Sequence, residues 1–142
     1  MKSIHKIIFV VCLAGVFSCK HEPSPVPACV AGTGGDLTIV AYLFHHDSVI
    51  ANKRDYLDTV YVKFNTQNFP GSDPSNYDIF FVGDTMEDHI HLDELKCGDY
   101  YIYGVGLDTI TSPGFPFRVS GGIPFSTLTT SGEITLHVPV TE

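Results

Sequence analysis

The chain has no tryptophan among its 142 residues, so a glycan-stacking platform would have to be built from its seven tyrosines, of which Tyr101 and Tyr103 share one strand face. Basic residues are scarce. Eight lysines and arginines stand against sixteen aspartates and glutamates, a formal net charge of −8, which argues against nucleic acid and against electrostatic adhesion to anionic lipid. Long apolar runs are missing too: Ile7 to Phe17 covers 11 residues, too few to cross roughly 30 Å of hydrocarbon. Beyond residue 18 no window of about 11 residues carries apolar side chains at helical spacing. No Gly-x-Ser-x-Gly elbow surrounds Ser48, Ser72, Ser75, Ser112, Ser120, Ser126 or Ser131. The acid pairs Glu87-Asp88 and Asp93-Glu94 are adjacent in sequence, so on a strand their carboxylates face opposite ways and make poor acid/base partners.

What is present begins with Lys2 and Lys6 ahead of the apolar run, which closes in Val16-Phe17-Ser18-Cys19. A charged segment, a short apolar core and a small residue before a cysteine resemble a bacterial lipoprotein signal of the looser Bacteroidota type. The resemblance implies that residues 1–18 are a signal peptide that is removed. Cys19 is then acylated (palmitate among its chains), and the mature chain is held on a bacterial membrane by this N-terminal lipid. Each buried methylene contributes about 0.8 kcal/mol, and two or three chains make the anchor stable. The outer membrane, on its periplasmic or surface side, is favoured over the inner. With Lys2 and Lys6 gone, six basic residues face the sixteen acidic ones, a net charge of −10. Residues 19–35 read as the lipidated tether. Pro23, Pro25 and Pro27 alternate and Gly32, Gly34 and Gly35 follow, giving a semi-extended arm and then a flexible one without core residues.

Four cysteines reduce to two. Cys12 leaves with the signal and Cys19 is committed to lipid. Cys29 and Cys97 remain as a candidate disulfide in an oxidising compartment, a bridge that requires their Cα atoms to lie within about 7 Å. Neither has a histidine nearby in sequence to activate a thiolate.

Residues 36–142 read as one β domain. Leu37, Ile39, Ala41 and Leu43 alternate with Thr38, Val40, Tyr42 and Phe44, a first strand covered on both faces. Val60, Val62 and Phe64 alternate with Thr59, Tyr61 and Lys63, a second strand with one wet face. Further strands are expected at Tyr77–Val82, Asp88–Leu92 and Tyr100–Leu107. Phe115–Ser120 and Pro124–Leu128 flank Gly121-Gly122, which reads as a hairpin turn needing positive φ. Ile134, Leu136, Val138 and Val140 supply the buried face of the last strand. Short strands with turn signals every 8–12 residues or so mean a sandwich or small barrel.

One stretch sharpens this. Thr85-Met86-Glu87-Asp88, then Ile90 and Leu92, then Leu95-Lys96-Cys97-Gly98-Asp99-Tyr100-Tyr101 gives an acidic turn, a strand, a leucine, a glycine turn and a tyrosine-bearing strand. That order resembles the transthyretin-like, carboxypeptidase-regulatory-like and collagen-adhesin B-type domains. It implies a single all-β, seven- to eight-stranded Greek-key β-sandwich over residues 36–142. Specific sites of those families do not carry over. The first strand has no lysine, and the last offers Thr135 and His137 where a lysine–asparagine cross-link would need asparagine. The chain closes Val138-Pro139-Val140-Thr141-Glu142 and lacks the Tyr-Arg-Gly-Ser tail of hydroxyisourate hydrolases. A fold of this kind hosts unrelated roles, so function must come from sites.

The histidines are the candidate site. His21 lies in the tether, His45-His46-Asp47 closes the first strand, and Glu87-Asp88-His89-Ile90-His91 opens the fourth. Period two puts His89 and His91 on one strand face and Ile90 on the other, and two imidazoles at i, i+2 can chelate a metal. If the end of the first strand approaches the start of the fourth, His45 or His46 adds a nitrogen. Asp47 or Glu87 then adds an oxygen and completes a Zn- or Cu-type shell. The bland alternative is polar decoration of strand faces and loops. A second pattern, Asp-[Ser/Thr]-apolar, recurs at Asp47-Ser48-Val49, Asp58-Thr59-Val60, Asp84-Thr85-Met86 and Asp108-Thr109-Ile110. It resembles the O-glycosylation acceptor of exported Bacteroidota proteins, with Ser48, Thr85 and Thr109 in expected loops, and it is equally good turn chemistry. Together these features give the expectation of a lipid-anchored envelope binding module rather than an enzyme, with a divalent metal as candidate ligand. A small accessory subunit docking onto a larger envelope protein partner is the alternative. A hydrolase-like enzyme comes third.

Overall fold

The computed structural model describes residues 29–110 and 115–142, so the expected signal segment, Cys19 and His21 lie outside the described residues. In chain order the elements are β1 (Thr33–His45), β2 (Ser48–Val49), β3 (Thr59–Phe64), a single 3-10 turn at Pro74–Asn76, β4 (Ile79–Val82), β5 (Ile90–Leu95), β6 (Gly98–Asp108), β7 (Phe117–Thr127) and β8 (Ser131–Pro139). Among the described residues the expectation of an all-β domain holds, the 3-10 turn aside. Among the described residues no helix is long and apolar enough to cross a membrane.

Two four-stranded sheets form. In the first, β1 pairs antiparallel with β2 and β5 and parallel with β8, from Asp36↔Ser131 to Phe44↔Pro139. The second has the order β4-β3-β6-β7, all antiparallel. The period-two pattern of β1 sends Leu37, Ile39, Ala41, Leu43 and His45 inward, all buried. On the opposite face Val40 is buried while Thr38, Tyr42 and Phe44 are half-buried, so the outer side of β1 is only partly covered, less than its sequence implied. The inward residues meet Val60, Val62, Tyr100, Ile102 and Val119 of the second sheet in one core, the layering of a β-sandwich. Each fully buried aliphatic side chain there contributes about 1.5–3 kcal/mol.

Cys29 and Cys97 are bridged, with Cα atoms 5.1 Å apart. The bridge fixes a segment expected to be free tether. Ala31 is buried, its N–H donates to Asn65 Oδ1 at 3.1 Å, and Lys96 N–H donates to Gly32 O at 3.0 Å. The packed structure therefore reaches back ahead of residue 36.

The Gly121-Gly122 hairpin is not formed. Both glycines lie inside β7, an unbroken strand paired with β6 from Gly98↔Thr127 to Asp108↔Phe117. Their smallness serves close approach instead. A Cβ on Gly121 would sit 2.4 Å from Pro139 O, and one on Gly122 would sit 2.5 Å from Ile102 O and 2.8 Å from the Tyr101 ring. Elsewhere strand limits shift by a few residues: β4 starts at Ile79 rather than Tyr77, and β5 spans Ile90–Leu95 rather than Asp88–Leu92.

Candidate functional site

The strand β5 lies against β1 with Ala41↔Ile90 and Val40↔His91 in register. Ile90 points into the core and is 2% exposed, so its neighbours His89 and His91 are directed to the outer face of the first sheet. There His89 Nε2 lies 3.1 Å from His91 Nε2 and 3.9 Å from Glu87 Oε2. His89 Nδ1 is 2.8 Å from Asp88 Oδ1. One ligand atom from each of Glu87, His89 and His91 falls within a common 4.8 Å.

These distances suit one ion. Two nitrogens bound at about 2.0–2.1 Å are separated by roughly 2.9 Å at a right angle and roughly 3.3 Å at the tetrahedral angle. The 3.1 Å between the two Nε2 atoms falls inside that interval. Relative to His89, the Glu87 carboxylate needs to close by about half an ångström, a movement available to a side chain that is 44% exposed. A proton on His89 Nδ1 facing the Asp88 carboxylate leaves the Nε2 lone pair for the ion, the usual support of a metal-bound imidazole.

The turn before β5 is held from below by Asn52, which is 2% exposed. Its backbone N–H donates to Glu87 O at 2.8 Å, and its Nδ2 donates to Glu87 O at 3.2 Å and His89 O at 3.4 Å. Its Oδ1 accepts from Asp58 N–H at 2.7 Å. Burial pushes the Asp58 carboxyl up to about 6, against the opposing pull of the Leu107 N–H and the Lys53 charge. Asn52 carries no motif in sequence. A lone asparagine between two strands reads as loop, and only the fold gives it a role.

The remaining expected ligands go elsewhere. His45 and His46 gather with Glu142, apart from the His89 group, and Asp47 belongs to neither. The single shell drawn from both segments is therefore not formed. Strand parity explains this: His45 follows Leu43 on the inward face of β1, whereas Tyr42 and Phe44 share the outer face with His89 and His137. His45 Nδ1 instead meets Asp108 Oδ2 at 2.6 Å, both side chains being nearly inaccessible. Asp108 and Asp58 each belong to an Asp-Thr-apolar triplet, so two of the four aspartates of that pattern are buried parts of the fold. Of the modification candidates, Thr85 is exposed, while Ser48 and Thr109 are half-buried.

On the outer face of the second sheet, Tyr101 and Tyr103 pack under Phe69 at 5.5 and 5.7 Å, and Tyr77 stacks on Tyr103 at 5.6 Å. A shallow cleft of about 300 Å³ beside them is lined by residues that include Tyr61, Tyr103, Arg118 and Ser120, with no histidine or carboxylate. No protein-family model, curated protein or solved structure matches the chain.

Proposed function

We propose that this chain is a lipid-anchored envelope module that captures a divalent transition metal, Zn²⁺ or Cu²⁺, through Glu87, His89 and His91. The observation that carries the reading is the 3.1 Å between the two Nε2 atoms, with Asp88 behind His89. The Cys29–Cys97 bridge supports an oxidising compartment, in keeping with the lipoprotein signal and Cys19. The two-sheet architecture is compatible with the Greek-key, transthyretin-like fold that the Thr85–Tyr101 stretch resembles. Calorimetric titration with Zn²⁺ and Cu²⁺ tests it. A micromolar or tighter site that His89→Ala/His91→Ala removes from the stoichiometry supports the reading, and a stoichiometry and affinity unmoved by that change remove it.

A second reading is docking onto a larger envelope protein. It is favoured by β4, an edge strand whose Phe80 and Val82 are 61% and 48% exposed. Pull-down from the envelope with Phe80→Ser and wild-type baits compares the two: a partner held by both is not docked there.

A further inference from the structure

Where the two sheets meet at one end, side chains converge that the outer-face centre does not use. His45 closes β1 on its inward face, 2% exposed, and Asp108 closes β6 on the facing sheet, 1% exposed. Their 2.6 Å contact puts a proton between Nδ1 and the carboxylate and turns the Nε2 lone pair the opposite way. Asp108 is itself fixed, its Oδ1 accepting from Ile110 N–H at 2.6 Å. Phe117 packs edge-on against the His45 ring at 5.6 Å and limits how the imidazole can turn.

On the free side, His45 Nε2 is 4.0 Å from Glu142 Oε1, and His46 Nε2 is 3.9 Å from the same oxygen. The three ligand atoms fall within a common 4.8 Å. Glu142 is carried there because Thr141 bridges to Ser120, tying the segment after β8 to β7 of the other sheet. His46 is carried there by the two-residue turn between His45 and Ser48, in which His46 and Asp47 have φ of 47° and 64°. Two successive left-handed residues make a turn for which asparagine and glycine are the low-cost choices. A histidine at the first position accepts backbone strain and brings its ring 4.1 Å from that of His45.

We propose that His45, His46 and Glu142 form a second divalent transition-metal site, with Asp108 as the positioning carboxylate behind His45. Two imidazole nitrogens and one carboxylate oxygen leave at least one coordination position open to water or to a ligand atom. Bonds of about 2.0–2.2 Å draw such donors to roughly 3.3 Å of one another. Glu142, 70% exposed, and His46, 64% exposed, have the freedom to close that distance, while His45 stays fixed. This site does not depend on the outer-face centre.

The test uses the untagged protein purified in detergent, titrated with Zn²⁺ by calorimetry and with Co²⁺ by visible absorption. Wild type should take two ions. His89→Ala/His91→Ala should keep one, and adding His46→Ala/Glu142→Gln, both surface changes, should remove it. Asp108→Asn should weaken the seam ion by about tenfold or more while leaving the outer-face ion unchanged. Loss of all binding in His89→Ala/His91→Ala overturns the seam site and leaves the outer-face reading standing, as does a stoichiometry unmoved by His46→Ala/Glu142→Gln. One ion that survives His89→Ala/His91→Ala but not His46→Ala/Glu142→Gln, in a wild type that binds only one, sinks the outer-face reading and upholds the seam.

Discussion

Replacing both bridged cysteines, Cys29→Ser/Cys97→Ser, tests how much of this fold is held by restraint on the unfolded chain. The bridge joins residues 68 apart, a closed loop whose entropy in the chain-entropy relation is about 15 cal/mol/K, or about 4.4 kcal/mol at 25 °C. For a domain of this size, urea unfolding has a slope of about 1–3 kcal/mol per molar, so the midpoint should fall by about 2 M. The assay is equilibrium urea unfolding followed by circular dichroism without reductant. The native spectrum of the variant should match wild type, because Ala31 keeps its core contact and its bonds to Asn65, and Lys96 still bonds Gly32. A loss below about 1 kcal/mol with unchanged slope would refute the entropic argument, because the loop length alone then carries no stabilisation.

Three further outcomes are expected. Asn52→Ala should cost about 1–3 kcal/mol by leaving the Asp58 N–H unpaired in the interior, and should weaken metal binding at the proposed Glu87–His89–His91 site roughly tenfold; thermal melts and calorimetry measure the two effects separately. Asp58 has a folded pKa of about 6 against an ordinary 3.8, so the folded state holds the extra proton. Its contribution to stability is full below pH 3.8 and is lost as pH rises to about 6. Asp58→Asn should therefore flatten the stability profile between those limits, and an unchanged difference between variant and wild type from pH 4 to 7 would contradict the assignment. Gly121→Asn, which a tight turn would welcome, should instead destabilise by about 1–3 kcal/mol, since its Cβ meets Pro139 O at 2.4 Å; a neutral or raised melting temperature would restore the hairpin.

The alternation of Leu37, Ile39, Ala41 and Leu43 determined the inward face of β1 without any knowledge of its neighbours, because side-chain direction on a strand depends only on the parity of position. The same rule placed His89 and His91 on one face, with Ile90 on the other, and that part of the site was legible in the chain. Gly121-Gly122 misled because glycine marks a turn and a close backbone approach with the same letter, and only the position of Pro139 distinguishes them. Likewise the proximity of Cys29 and Cys97 and the support of Asn52 under Glu87 and His89 are contacts between residues distant in sequence. The separation of His45 from His89 was in principle readable from parity, but its pairing with Asp108 and Glu142 was not. Those three meet only because β1, β6 and the segment after β8 end at the same seam between the sheets, a consequence of sheet order and register that local pattern does not encode.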